Sequence, residues 1–375
     1  MTKSNQSTQT AQSPLISIIT IVYNDIAHII DTMDSVVGQD YPHIEYIIID
    51  GASSDGTREK IMEYIASCAK VDSRGNYSAA AEHIDCHAAN AARKDSIKVD
   101  SSDNAPNLSL QAAAPAVARQ STKTKGANKD SKSGFYATHL EATHREKNLT
   151  FKFLSEQDSG IYDAMNKGIE LATGQWCNFM NCGDRFYSPN TLKEFFAHFL
   201  QSTQYALQTQ PHAAQVAPQP TPQPTPQILY GDAQLIYDEA HSKILYASTK
   251  PHKYHHHFIH QSAFIATPLM RAYRYDTGFK IAGDTDFFAK AYNNGARFHY
   301  VPLVVASFSL EGISSHLSWQ MFKEDCQIGY KYNRLFPLLH ALKYLFWIIP
   351  RVCIRELIPA RFRSQARILL GKKTS

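Results

Sequence analysis

Leu15-Ile-Ser-Ile-Ile-Thr-Ile-Val-Tyr-Asn-Asp25 and Ile44-Glu-Tyr-Ile-Ile-Ile-Asp-Gly-Ala-Ser-Ser-Asp-Gly56 frame the segment that decides the fold. Each opens on a short apolar run without alternation, the mark of a strand covered on both faces. Between them Ile26, Ile29, Ile30, Met33, Val36 and Val37 recur at helical spacing, and Gly38 and Pro42 break the helix. A second helix, with Ile61, Met62 and Ile65, follows the Gly51–Gly56 turn. Strand, helix, strand, helix with short connections predicts an α/β fold. Its mostly parallel sheet carries helices on both faces and right-handed crossovers.

Working outward, Leu149-Thr-Phe-Lys-Phe-Leu154 reads as a third strand, and Ile161, Met165, Ile169, Leu171 and Ala172 as a helix with Gly174 as its cap. Trp176–Met180 reads as a buried strand, closed by the turn Asn181-Cys-Gly-Asp184. Ile228–Tyr237 and Lys243–Ser248 look like paired strands. Phe264–Ala266, a helix from Asp284 to Asn294 and a strand at Phe298–Val305 complete the pattern. Residues 69–147 hold few large apolar side chains, so they read as a disordered insertion, with ordered decoration as the alternative. Residues 208–227, with Pro-Gln-Pro-Thr-Pro-Gln-Pro-Thr-Pro, read as an extended linker. The expected division is a disordered 1–14, a domain over 15–315 and a helical tail over 316–375.

The chain has 375 residues, 43% hydrophobic and 19% charged, with a net charge of +4. No clustered basic stripe points to nucleic acid. Its six cysteines form no Cys-x-x-Cys pair and read as free thiols in a reducing compartment. No signal peptide and no apolar run of membrane-spanning length is legible, so a cytoplasmic location is expected.

In an open α/β sheet, ligands bind outside the carboxyl ends of the strands. Asp50 ends the second strand and Asp184 lies just beyond the Trp176–Met180 strand. A carboxylate there with no basic neighbour in sequence suits a hard divalent cation and the phosphates it bridges. Each of these positions also suits a turn-capping aspartate.

Six pieces stand in a consistent order once the two low-complexity stretches are removed: Ser17–Asn24, Ile49–Thr57, Ser155–Gly168, Asn181–Asp184, His260-Gln261 and Phe279–Phe287. With them the chain resembles the family 2 glycosyltransferases of the GT-A fold, and most of all the subgroup that builds bacterial surface polysaccharides. The resemblance implies an enzyme that transfers a sugar, with inversion, from a UDP- or GDP-linked donor to a lipid-linked or polysaccharide acceptor, as in lipopolysaccharide synthesis. It implies Mg²⁺ or Mn²⁺ at Asp184, substrate contacts from Tyr23, Asp50, Asp158, Asp163, Asn166, Asn181 and Asp286, and the pair His260 and Gln261 near the acceptor side. Asp284 matches the catalytic base, although an N-cap aspartate serves its helix equally. Two departures stand out: Asn181 and Gly183 occupy positions that are often Asp, and Gly283 one that is often Glu. Those departures keep a non-catalytic nucleotide-sugar-binding or scaffolding protein as the alternative. A nucleotidyltransferase ranks low, because no Gly-rich phosphate loop follows Val22.

Among the neighbours, Asp55 reads as a helix cap, Asp158 as a cap at a helix start, Asp163 as helix surface and Lys167 as a solvated lysine. His255-His-His257 alternate in direction on an extended chain and read as partly buried imidazoles. From Leu335 to Leu370, apolar and aromatic residues interleave with Lys343, Arg351, Arg355, Arg361, Arg363 and Arg367. That pattern predicts amphipathic helices lying on the inner-leaflet membrane surface, with a helix pair packed on the domain as the alternative.

Overall fold

The computed structural model describes residues 13–69, 82–84, 137–208, 225–238, 241–309 and 318–356. The chain divides into two compact units, 1–82 with 138–375, and 83–137. A short strand, Glu82–Ile84, also falls within the described residues.

In the larger unit the chain runs β1 (Ile16–Val22), α1 (Ile29–Val37), β2 (Ile44–Asp50), α2 (Thr57–Cys68), β3 (Ala137–Thr143) and β4 (Leu149–Ser155). Then come α3 (Ile161–Leu171), β5 (Trp176–Phe179), β6 (Arg185–Phe186), α4 (Thr191–Gln208), β7 (Ile228–Asp238) and β8 (His241–Leu245). A 3₁₀ turn, His260–Ser262, leads into β9 (Ala263–Ala266), α5 (Thr267–Tyr273), α6 (Gly283–Asn293) and β10 (Phe298–Ser309). The chain closes with α7 (Trp319–Tyr332), α8 (Phe336–Lys343), a π-helical turn and α9 (Ile349–Glu356).

The strands line up as β3-β4-β2-β1-β5-β9-β7-β10-β6, with β8 paired to β7. The central β4, β2, β1 and β5 are parallel, and β9 is antiparallel to both its neighbours. The expected α/β architecture, a sheet with a parallel centre lying between helices, is therefore present. β1 is buried along its whole length, which explains why its sequence does not alternate. Ile16 and Ile18 pack with Ile29, Met33 and Ile61 of α1 and α2, whereas Ile19 and Ile21 pack with Met165 and Ile169 of α3 on the opposite face. A fully buried isoleucine contributes roughly 1.5–3 kcal/mol, so these two layers fix the sheet.

Several details differ from the sequence reading. β3 lies within the 69–147 stretch expected as an insertion and pairs antiparallel with β4, so ordered structure resumes before Leu149. Residues 70–81 and 85–136 of that stretch, and 209–224 of the linker, lie outside the described residues. The helix α3 ends at Leu171 with Ala172 as its cap. Gly174 instead packs against the β1 backbone, where a Cβ would meet the Ser17 nitrogen at 2.7 Å. α7 opens the stretch expected as the tail, yet its Glu324 and Asp325 are buried against the domain.

Candidate active site

Strand register builds the site. Val22, Asp50 and Ser155 stand side by side at the carboxyl ends of β1, β2 and β4. The turn after β5 then carries Asn181–Asp184 to the same end of the sheet, because β1 and β5 are parallel and Ile19 pairs with Phe179.

Asp50 is fully buried. Its carboxylate accepts the Ser53 amide and the Ser155 hydroxyl, the latter at 2.6 Å. Beside it, Tyr23 is exposed and Asp158 closes over Gly51, where a Cβ would meet the Asp158 carboxylate at 2.6 Å. Asp158 also accepts the Gly160 amide. Burial, with Asp50 and Asp163 as like charges, raises its pKa against the pull of that amide and Lys167. Asp55, expected as the helix cap, stands one residue before the actual N-cap, Gly56, and braces the turn by accepting from the amides of Thr57 and Ile26.

The α3 residues divide. Asp163 accepts the Ser159 amide and hydroxyl, capping the helix. Asn166 spends both ends of its amide on the Tyr275 backbone, donating to the carbonyl and accepting from the nitrogen, each at 2.9 Å. Lys167, expected in solvent, is buried and pairs with Glu156 at 2.8 Å. Its neighbours Ala164, Met165 and Gly168 are buried core, so the lysine enters the interior with its own counter-ion. Asn166 and Lys167 therefore hold the scaffold.

Asp184 sits in a turn fixed by Thr32, whose hydroxyl donates to the Asp184 carbonyl and accepts the Gly183 amide. Gly183 has φ +91°, the left-handed region, so a side chain at that often acidic position would be strained. Gln261 Nε2 donates to Asp184 Oδ2 at 2.6 Å. Burial pushes the carboxyl up to about 7 although that hydrogen bond opposes the shift. Asn181 Oδ1 is buried and has no hydrogen-bond partner. An unpaired amide oxygen one turn from an aspartate is the donor chemistry a hard cation takes, with phosphates and water completing its shell. Among the described residues no group of three or more His, Cys, Asp or Glu side chains is arranged to hold a metal alone. Asp184 with Asn181 could supply the protein's share of such a shell.

His260 and Gln261 join the two halves of the site. While Gln261 reaches Asp184, His260 is buried against Phe179 and Phe288 and shares a 2.8 Å hydrogen bond with the Tyr275 hydroxyl. Burial lowers its pKa to about 4, with the charge of Asp284 acting in the other direction. Asp284, in the first turn of α6, accepts the Thr285 amide at 2.7 Å, and its other oxygen faces His256 Nε2 at 3.8 Å. Burial raises the Asp284 pKa against the favourable field of His260. Gly283 precedes it because a Cβ there would lie 2.7 Å from the Tyr162 ring. The Tyr162 hydroxyl in turn donates to the Ile281 carbonyl at 2.5 Å. Asp286 is buried and paired with Lys331 of α7 at 2.6 Å.

Four residues that sequence reasoning passed over complete the frame: Ser155 on Asp50, Tyr275 on His260, His256 beside Asp284, and Glu324. The buried Glu324 accepts the amides of Lys280, Ile281 and Ala282, and so holds the loop that delivers Asp284. Ser155 stood in a quoted motif and His256 in a conspicuous His triplet. Glu324 had no signal in its own sequence.

Residues 17–83 match the family model described as glycosyl transferase family 2. That segment holds Asp50 and Asp55, and stops short of Asp184 and Asp284. The teichuronic acid biosynthesis glycosyltransferase named TuaG, from Bacillus subtilis, is 46% identical over 61 residues, 16% of this chain and 23% of that protein. A PGL/p-HBAD biosynthesis glycosyltransferase of Mycobacterium bovis is 49% identical over 37 residues, 10% of this chain and 14% of that protein. The chain thus matches less than a quarter of the length of these curated relatives. Among solved structures, a Pyrobaculum calidifontis mannosyltransferase in complex with GDP-Man and Mn²⁺ aligns at 15% identity with a TM-score of 0.48, over 96% of this chain and 77% of that one. S. aureus TarS in complex with UDP-GlcNAc aligns at 12% identity with a TM-score of 0.49, over 93% and 77% of the two chains.

Proposed function

We propose that this protein is an inverting glycosyltransferase that moves a sugar from a UDP- or GDP-linked donor to a lipid-linked or polysaccharide acceptor in cell-surface glycan synthesis. The reading gives it a cytoplasmic location at the inner membrane. The observation that carries it is the 3₁₀ turn His260–Ser262, whose Gln261 donates to Asp184 while its His260 feels the charge of Asp284.

In this reading Asp50 and Tyr23 receive the nucleoside, and Asp184 with Asn181 hold a divalent cation at the diphosphate. When bound, Mg²⁺ or Mn²⁺ supplies Lewis-acid stabilisation of the departing diphosphate. Asp284 accepts the proton of the acceptor hydroxyl as that oxygen forms its bond to the anomeric carbon and the bond to the diphosphate breaks. Burial suits the carboxyl to that task, because a raised pKa makes it a better base. General-base catalysis of this kind contributes roughly 10²–10⁴-fold. The three amides gathered by Glu324, and the Tyr162 bond to Ile281, keep the base from swinging out of line.

A panel of nucleotide sugars, assayed for donor hydrolysis and transfer, tests the proposal. Asp284→Asn should bind donor and fail to transfer, and Asp184→Ala should lose metal-dependent turnover. Donor binding without turnover by the wild-type chain across the panel would instead support a non-catalytic binding protein.

A further inference from the structure

The segment 335–349, α8 with the π-helical turn, has two faces, and only one is covered by the described residues. Phe336, His340 and Tyr344 point inward: the His340 ring stacks on Phe322 of α7, and its Nε2 lies 3.4 Å from the buried Asp325. On the outer face, Leu335, Leu338, Leu342, Leu345 and Ile349 repeat at three- and four-residue steps, and all are exposed. Phe346 and Trp347 add exposures of 71% and 58%. A continuous apolar stripe of this size marks an interaction surface.

We propose that this stripe docks on an anionic lipid surface, a deepening that rests on the lipid-linked reading of the acceptor. Charge selects the occupant. Between residues 334 and 356 the basic side chains are Arg334, Lys343, Arg351 and Arg355, against a single acid, Glu356. The sequence beyond adds Arg361, Arg363, Arg367, Lys372 and Lys373 and no acid. A second copy of the chain would bring the same cations onto the same face without anions to meet them. An anionic headgroup layer supplies those anions, and the acyl boundary beneath it takes the leucines and the tryptophan. Arg351 lies 5.1 Å over the Trp347 ring, so cation and apolar anchor meet at one depth. No helix among the described residues is long and apolar enough to cross a membrane, so the segment lies along the surface. Its inward face also touches the site: His340 packs beside His255, the neighbour of the His256 that faces Asp284. Docking therefore holds the base-bearing loop next to the bilayer that would deliver the acceptor.

The test is flotation of the full chain with vesicles of phosphatidylglycerol and phosphatidylcholine, and with phosphatidylcholine alone. The wild-type chain should float with the anionic vesicles and weaken as salt rises. Lys343→Ala with Arg351→Ala should weaken binding about 25-fold, the effect of two basic groups at an anionic leaflet. Leu338→Glu with Leu342→Glu should abolish it; because these side chains are exposed, the circular dichroism spectrum should not change. Unaltered binding by either variant, or absence of wild-type binding, would overturn the proposal. So would a dimer in sedimentation that Leu338→Glu converts to monomer, since a second copy would then cover the face. Vesicle binding is read without turnover, so its failure leaves the transferase reading standing, and an absence of turnover leaves docking untouched.

Discussion

Asp184→Asn should leave stability unchanged near pH 4 and raise it near pH 8, with the gap opening between those values. Burial lifts the carboxyl from 3.8 to about 7 in the folded chain. An unfolded chain ionises this group at about 3.9. The protonated side chain therefore contributes stability that is complete below the unfolded value and is lost as pH rises through about 7. Three units correspond to roughly 4 kcal/mol at about 1.4 kcal/mol each. Asp184 is only half-buried, and water screening reduces this to about 2 kcal/mol. The neutral amide is nearly isosteric and escapes the loss. For a domain of this size, about 2 kcal/mol moves Tm by roughly 4–8 °C. Thermal unfolding in chelator at pH 4, 6 and 8 measures the gap between wild type and variant. A variant equally shifted at every pH, or less stable at pH 8, would refute the burial argument. Adding Mn²⁺ and nucleotide at pH 8 should raise the wild-type Tm and leave Asp184→Asn unmoved.

Gln261→Ala removes the one donor that draws the Asp184 pKa downward, so the pH dependence of donor turnover should move to more alkaline values. Asn166→Ala loses both hydrogen bonds to the Tyr275 backbone and should cost about 2 kcal/mol in urea unfolding. Glu324→Gln replaces one carboxylate oxygen by an amide donor facing the loop amides. It should cost about 1–3 kcal/mol and lower turnover more than donor affinity, measured by separating kcat from nucleotide binding.

The periodicity of the apolar residues determined the sheet. β1 and β2 are covered on both faces, and such strands read as near-continuous apolar runs. Asp50 and Asp184 were legible because a carboxylate at a parallel strand's end needs nothing but local sequence to be placed. Local sequence misplaced the start of the second helix by one residue, since its cap is Gly56 and not Asp55. It could not say where side chains 42 to 109 residues apart would meet. Asn166 bonds to Tyr275, Asp286 to Lys331 and the loop before Asp284 to Glu324, and each pairing exists only because α3, α6 and α7 pack together. The same packing decided that Gly283 must remain a glycine under the Tyr162 ring and that Lys167 is buried. Strand patterns are set by burial along one element. Partners of polar side chains are set by which elements touch, a property of the folded chain alone.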